Sequence, residues 1–362
     1  MKILKLINLP ITLSSFLLVS IGILVIYSSS KELAVQQIIF TIIGMVFFFF
    51  ISQFELQSLK HLVKPLYILI VITLVAVFIL GIETRGVFRW FSLGIFNIQP
   101  SEFAKPILIL FLSKFWSENN PSWRNIFKSI LWSAPVFLLI FKQPDLGSAL
   151  TIIAIWLGLL FAAHISIKKI LILVLIIIFI IPASWSFLHS YQKERIISFW
   201  APESDPLGKG YNLIQSTIAV GSGQLLGRGL GSGTQSRLQF LPEFRTDFIF
   251  ASIAEEMGFL GSLLILSLYL FLLSYCLREA QKTNNSFNLL VIFGVVSMFL
   301  FQVVVNIGMN IGLLPITGIT LPLISYGGSS LISTFLSLGM VASSARNRAD
   351  SDSIGVDHIQ FA

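Results

Sequence analysis

Ten stretches of this chain are apolar over the length a bilayer crossing demands, and no other feature restricts its fold as strongly. A membrane-spanning helix needs about 20 apolar residues, because lipid offers no partner to an exposed backbone N–H or carbonyl. The stretches lie near residues 9–27, 35–52, 64–82, 101–116, 128–142, 146–163, 168–187, 248–275, 287–311 and 322–345. The fourth and fifth are short and carry Pro106 and Pro135, which membrane helices tolerate where neighbours satisfy the freed carbonyl. With 55% hydrophobic and only 11% charged residues, too little polar surface remains to solvate a globule of 362 residues. The expected fold class is an all-α polytopic membrane protein, one domain over 1–362 with about ten transmembrane helices.

Basic residues orient that array. With both termini cytoplasmic, the inner segments carry Lys2, Lys5, Lys60, Lys64, Lys114, Arg124, Lys128, Lys168, Lys169, Arg278, Lys282, Arg346 and Arg348. The short outer loops then hold only Lys31, Arg85, Arg89, Lys105 and Lys142, and one large extracytoplasmic loop covers about 188–247. No small-residue cleavage pattern follows Lys2 and Lys5, so the first apolar run reads as a retained span. The net charge of +7 reflects inner loops and anionic lipid rather than nucleic acid. The single cysteine, Cys276, excludes an internal disulfide and a cysteine metal site, and His61, His164, His189 and His358 lack metal-ligand spacing. No paired, broken spans of the transporter kind recur, and the polar tail from Ala349 is expected to be disordered.

The polar groups gather on the outer side, from loops far apart in sequence. Arg89 precedes Gln99-Pro100-Ser101-Glu102-Phe103-Ala104-Lys105, in which Pro100 suits a first helical position and Glu102 the helix dipole. Glu102 and Lys105 share a face at i, i+3, either as a local ion pair or as the lining of a polar cavity. Lys142-Gln143-Pro144-Asp145 is a tight turn holding a cation and an anion, and Asp145 is placed to cap the sixth helix. Glycines crowd 221–233, but a dinucleotide fingerprint needs a strand and a soluble βαβ unit, so they serve turns or close approach instead. Tyr211 to Ala219 reads as a short amphipathic piece.

The stretch from Leu241 to Met257 joins this polar segment to a re-entering helix and carries Glu243, Asp247, Glu255 and Glu256. A carboxylate at membrane depth is costly and is a functional candidate by default. Asp247 is either an N-cap or a reactive group. On a continuous helix Glu255 lies about 80° around from Asp247 and about 12 Å deeper, facing the same cavity, whereas Glu256 lies about 180° away. The uncharged outer stretch Asn306 to Ser330, including Ser325 and Tyr326, is dense in Gly, Pro, Asn and Ser, which is viable near a membrane only around a cavity or within protein.

Four motifs, RWFSLGIFNIQPSEFAK (89–105), KQPDLGSAL (142–150), GTQSRLQFLPEFRTDFIFASIAEEMGFLG (233–261) and LLPITGITLPLISYGGSS (313–330), run in one order over nearly the whole chain. Together they resemble the SEDS family of bacterial shape, elongation, division and sporulation proteins, and QPDLG and GTQS are nearer its elongation branch than its division branch. The resemblance implies a ten-span glycosyltransferase that polymerises lipid II into β-1,4 glycan strands at the outer face of the cytoplasmic membrane. It places the family's essential aspartate on Asp247 and its cavity residues on Glu102 and Lys105. Phe244-Arg245 stands where a basic-His pair is more usual. A carboxylate such as Asp247 would accept the proton of the attacking sugar hydroxyl. Arg89, Lys105, Arg245 or Arg228 would steady the departing pyrophosphate, aided by a divalent cation, Mg or Mn, and no organic cofactor. Lys142, Asp145, Glu255, Ser325 and Tyr326 complete the expected cavity set. The implied partners are lipid II, a class B penicillin-binding protein and membrane proteins of the elongation complex. A lipid II flippase, a pure assembly factor and a division-type member of the family are the competing readings.

Overall fold

The structure, a computed structural model, describes residues 8–84, 87–92, 94, 97–183, 185, 190–238 and 240–357. Helices α1 (Leu9–Ser29) and α2 (Lys31–Gln53) form a hairpin joined at Ser30, whose hydroxyl accepts from the Leu33 N–H at the start of α2. Helix α3 (Val63–Leu80) leads into three short antiparallel strands, β1 (Ile82–Thr84), β2 (Val87–Ser92) and β3 (Asn97–Ile98), in the order β1-β2-β3. These short strands are the exception in an otherwise helical chain among the described residues. The loop pairs its own backbone groups, with Ile82 opposite Trp90 and Phe91 opposite Ile98.

Next come α4 (Pro100–Glu118), α5 (Trp123–Lys142), α6 (Leu146–Ala162) and α7 (Ile167–Ala183). The large loop holds three shorter helices, α8 (Ser190–Trp200), α9 (Tyr211–Ser222) and α10 (Thr234–Arg237). The chain finishes with α11 (Ile249–Lys282), α12 (Ser286–Asn310) and α13 (Gly328–Asp357). Every expected span coincides with a helix. Seven are long and apolar enough to cross a membrane (α1, α2, α3, α5, α11, α12 and the 328–346 part of α13), and α6 is a shorter apolar helix.

Burial sorts them into centre and rim. The most apolar windows of α12 and α13 are 67% and 72% buried, against 28% in α2, α3 and α5. Helix α4 is central as well: thirteen of its nineteen residues are buried, which lets it carry charges that a lipid-facing helix could not. On the rim, Ile79, Phe179 and Leu270 remain about 70–80% exposed, as lipid-facing side chains do. Where helices meet, small residues bring backbones together: a Cβ on Gly44 would strike the Phe335 ring, and one on Gly158 would strike Ser297.

Helix α13 runs to Asp357. One expectation changes. Helix α11 is two pieces, broken at Gly258, whose φ of 67° and ψ of −163° are open to glycine alone. The 224–229 segment inserts into the break. The N–H groups of Arg228 and Gly229 donate to the carbonyls of Glu255 and Glu256 at 2.9 and 3.0 Å. In return, the N–H groups of Phe259 and Leu260 donate to Gln224 and Leu225 at 2.9 and 3.2 Å. A broken helix at membrane depth survives because protein fills the gap. The crowded glycines allow the fit, since a Cβ on Gly223 or Gly227 would run into the backbone of Ala254 or Glu256.

Candidate active site

The break fixes how the chain enters the site. From Leu241 the backbone turns on Glu243 (φ 53°), whose carbonyl accepts from the N–H groups of Thr246 and Phe248, each at 3.1 Å. The Thr246 hydroxyl donates to the Glu243 carboxylate at 2.9 Å. Leu241, Phe244, Phe248 and Ala251 pack with Ala219 of α9 into a small second core, which braces the turn against the outer helix. Helix α11 then begins at Ile249 with no capping bond from the side chain at its N-cap, Phe248. Asp247 therefore lies before the helix, and the N–H of Ala251 is accepted by Asn310 of α12 at 3.0 Å.

The Asp247 carboxylate is half-buried over Gly318 (φ 76°). From the place where a Cβ on Gly318 would sit, Asp247 Oδ2 is 3.6 Å away and Arg195 Nη1 is 3.5 Å away. A glycine floor thus admits a carboxylate and a guanidinium side by side. Arg195 comes from α8, and sequence reasoning missed it. Its only signal was a charged run, Lys193-Glu194-Arg195, on a short helix whose facing the sequence does not fix.

Neighbouring candidates act through the backbone. Ser325 Oγ donates to the Thr246 carbonyl at 2.6 Å and accepts from the Leu321 N–H at 2.8 Å, while the Tyr326 N–H donates to the Arg245 carbonyl at 2.9 Å. These bonds strap the 317–327 loop to the turn bearing Asp247. The Tyr326 hydroxyl donates to Gln36, and burial pushes its pKa up, so it stays a neutral donor. The Arg245 guanidinium turns away to Ser29, with Nε to Oγ at 2.8 Å, and stacks on Phe244 at 4.4 Å. Burial pulls its pKa down while Glu243 opposes that, and a guanidinium remains charged under both.

A second polar group stands at the start of α4. Lys105 Nζ donates to both Glu102 oxygens, at 2.8 and 2.7 Å, with the two side chains 2% and 10% exposed. Asp145 caps α6 through the Ser148 N–H at 3.1 Å, and its other oxygen accepts from Gln99 at 3.0 Å and Ser101 at 3.2 Å. Arg89 donates to the carbonyls of Gln143 and Pro144, which fixes the turn in front of that cap. Lys142 is exposed beside it. Arg85 lies outside the described residues.

The start of α13 joins the two groups. Ser333 Oγ donates to the Glu102 carbonyl at 2.7 Å, Ser330 and Thr320 hydroxyls meet at 2.9 Å, and a Cβ on Gly147 of α6 would touch Ile319 and Thr317. Asp247, Arg195, Ser325, Tyr326, Asp145, Glu102 and Lys105 are thus assembled around one loop, 317–333.

Glu255 is placed otherwise. The break in α11 hands it to the outer loop, where its oxygens accept from Thr234 Oγ1 at 3.1 Å, Gln235 N at 2.9 Å, and Ser236 N and Oγ at 3.2 Å each. It caps α10 and does not share a cavity with Asp247. Glu256 accepts from Ser28 Oγ at 3.0 Å, tying α1 to the same region. Two hollows of about 300 and 470 Å³ meet at His164, at the opposite end of the bundle. None of the candidate residues lines them.

A family model described as "Cell cycle protein", covering FtsW, RodA and SpoVE, matches residues 3–350. "Peptidoglycan glycosyltransferase MrdB" of Escherichia coli (strain K12) is 41% identical over 303 residues, 83% of this chain and 82% of that protein. The crystal structure of the rod shape determining protein RodA of Thermus thermophilus superposes with a TM-score of 0.72 at 28% identity, over 94% of this chain and 97% of that one. A chain from a study described as "Structural coordination of polymerization and crosslinking by a peptidoglycan synthase complex" gives a TM-score of 0.80 at 34% identity, over 93% and 97% of the two chains.

Proposed function

We propose, for a chain that belongs to the FtsW, RodA and SpoVE family of cell cycle proteins, that Asp247 is the base of its glycosyl transfer. The protein is a membrane-embedded peptidoglycan glycosyltransferase. Its substrate is lipid II, and its elongation-type, RodA-like role rests on the nearness of MrdB. The relatives are named as peptidoglycan glycosyltransferases, and that favours glycosyl transfer over a flippase reading.

The 4-hydroxyl of one sugar attacks C1 of another, the C1–O bond to the polyprenyl pyrophosphate breaks, and a C–O–C bond forms. Asp247 takes the hydroxyl proton as the new bond develops. Attack opposite the leaving group inverts an α-linked donor to a β-1,4 product. Arg195 is the cation placed near Asp247 over Gly318, where it meets charge gathering on the pyrophosphate. Arg89 and Lys105, tied to carbonyls and to Glu102, hold the loops that frame the site.

Among the described residues, no three His, Cys, Asp or Glu side chains form a metal nest. A divalent cation would be held there chiefly by the substrate's own phosphates. Such an ion would supply added neutralisation of the leaving group.

A class B penicillin-binding protein is the partner, a reading supported by the likeness to a complex that couples polymerisation with crosslinking. Membrane proteins of the elongation complex are the wider assembly. The site faces outward across the bacterial cytoplasmic membrane, with both termini inside. One observation carries the reading of the site: Asp247 stands beside Arg195 over a glycine floor, and another helix does its capping. In proteoliposomes with lipid II, glycan strands should accumulate with one polyprenyl pyrophosphate released per new bond. Lipid II crossing the bilayer with no polymer formed would refute this.

A further inference from the structure

Asp is among the strongest helix N-caps, because its carboxylate reaches an N–H two or three residues on. Asp247 stands just before α11, but the Ala251 N–H, four residues on, lies beyond that reach, and Asn310 of α12 accepts from it at 3.0 Å. We propose that Asn306 and Asn310 are positioning residues for the glycosyl transfer, which cap α11 from a neighbouring helix and clamp the Asp247 backbone so that its carboxylate is directed toward Gly318 and Arg195. This rests on Asp247 being the base.

The hydrogen-bond inventory of an amide fits the task closely. The Asn310 amide nitrogen donates to the carbonyls of Asp247 at 3.0 Å and Asn306 at 2.8 Å. The Asn306 amide nitrogen donates to the carbonyls of Asp247 at 2.9 Å and Ile319 at 2.7 Å. Each amide nitrogen has two hydrogens, so both donors are fully used. Flipping Asn310 would set its oxygen against two carbonyls and its nitrogen against an N–H, so the partners fix its orientation.

Both side chains are 0% exposed and stand at i, i+4 on one face of α12. Ile319 follows Gly318, the residue on which Asp247 and Arg195 meet. One pair of amides therefore holds both walls of the site at fixed separation. Neither a carboxylate nor an alkyl group can donate to two carbonyls while accepting from an N–H. Ser216 Oγ of α9 also donates to the Asn310 carbonyl at 2.8 Å, bracing the clamp from the outer loop.

The test measures lipid II polymerisation by purified Asn310→Ala and Asn306→Ser with the partner transpeptidase, alongside thermal unfolding in detergent. Asn310→Ala removes a donor from the Asp247 carbonyl and leaves the Ala251 N–H open, so the turn bearing Asp247 is expected to shift. The rate constant kcat should fall by about 10- to 100-fold with a smaller change in KM, as misplacement of a reacting group by about 1 Å produces. Asn306→Ser keeps the cap on Ala251 and should lower kcat in the same sense, giving a readout if Asn310→Ala does not fold. In an Asp247→Asn background neither change should lower the residual rate further, because the group they position is gone.

Unchanged kcat in both folded variants overturns the clamp. An equal loss in the Asp247→Asn background also overturns it, since a merely structural role acts with or without Asp247. Full polymerisation by Asp247→Asn alone is a different result, which removes the base reading itself.

Discussion

At the scale of single residues, burial and partner count separate reactive groups from supports. Glu102 and Lys105 are paired where water cannot replace either partner, with side chains 10% and 2% exposed. Removing one member leaves an unpaired buried charge, so Lys105→Met should cost about 3–5 kcal/mol. The joint change Glu102→Gln with Lys105→Met should cost less than Lys105→Met alone, and chemical unfolding of both proteins checks the order. Arg195 differs, since its guanidinium approaches Gly318 together with the Asp247 carboxylate, the proposed base. Arg195→Lys keeps the charge and loses the fork, so kcat should fall by about tenfold while unfolding is little moved. Full activity in that variant would remove Arg195 from the chemistry. The sequence exposed Asp247 because a carboxylate inside an apolar run is costly. It hid Arg195, whose role depends on how an isolated outer helix docks. It also suggested a cavity role for Glu255, because helical periodicity was carried through a break that only a glycine backbone reveals.

At the scale of elements, α11 depends on a loop that mends it. Gly258 has a left-handed φ, and a Cβ there would meet the backbone of Gly227 and the 225–226 segment. Gly258→Ala should therefore destabilise by more than the ~1–2 kcal/mol of a left-handed residue alone, with a lower unfolding temperature in detergent. It should also free the outer loop, read as faster hydrogen exchange at Arg228 and Gly229, whose N–H groups now bond Glu255 and Glu256. Unchanged exchange there would show that the splice does not hold the loop. The spans themselves were readable, because twenty-residue apolar runs have no other stable outcome in lipid. The strands at 82–98 and the break in α11 were not, since both follow from which backbone groups find partners across the chain.

At the scale of the whole molecule, charge asymmetry assigns the Asp247 end to the outside. Leu207, 90% exposed in the outer loop, and Lys168, at the start of α7, should label from opposite sides once each is replaced by cysteine in a Cys276→Ser background. A membrane-impermeant thiol reagent on spheroplasts should reach position 207 and miss 168, and the reverse would invert the topology. Under the proposed reading, that orientation would set the Asp247 carboxylate, the Arg195 guanidinium and the Gly318 floor at the surface that displays lipid II, with prenyl chains left in lipid. The decisive measurement is glycan polymerisation by the reconstituted complex with wild type and Asp247→Asn side by side, folding and partner binding being matched. Loss of at least about 100-fold in the variant is the predicted result. Polymer made by Asp247→Asn at the wild-type rate would contradict the account.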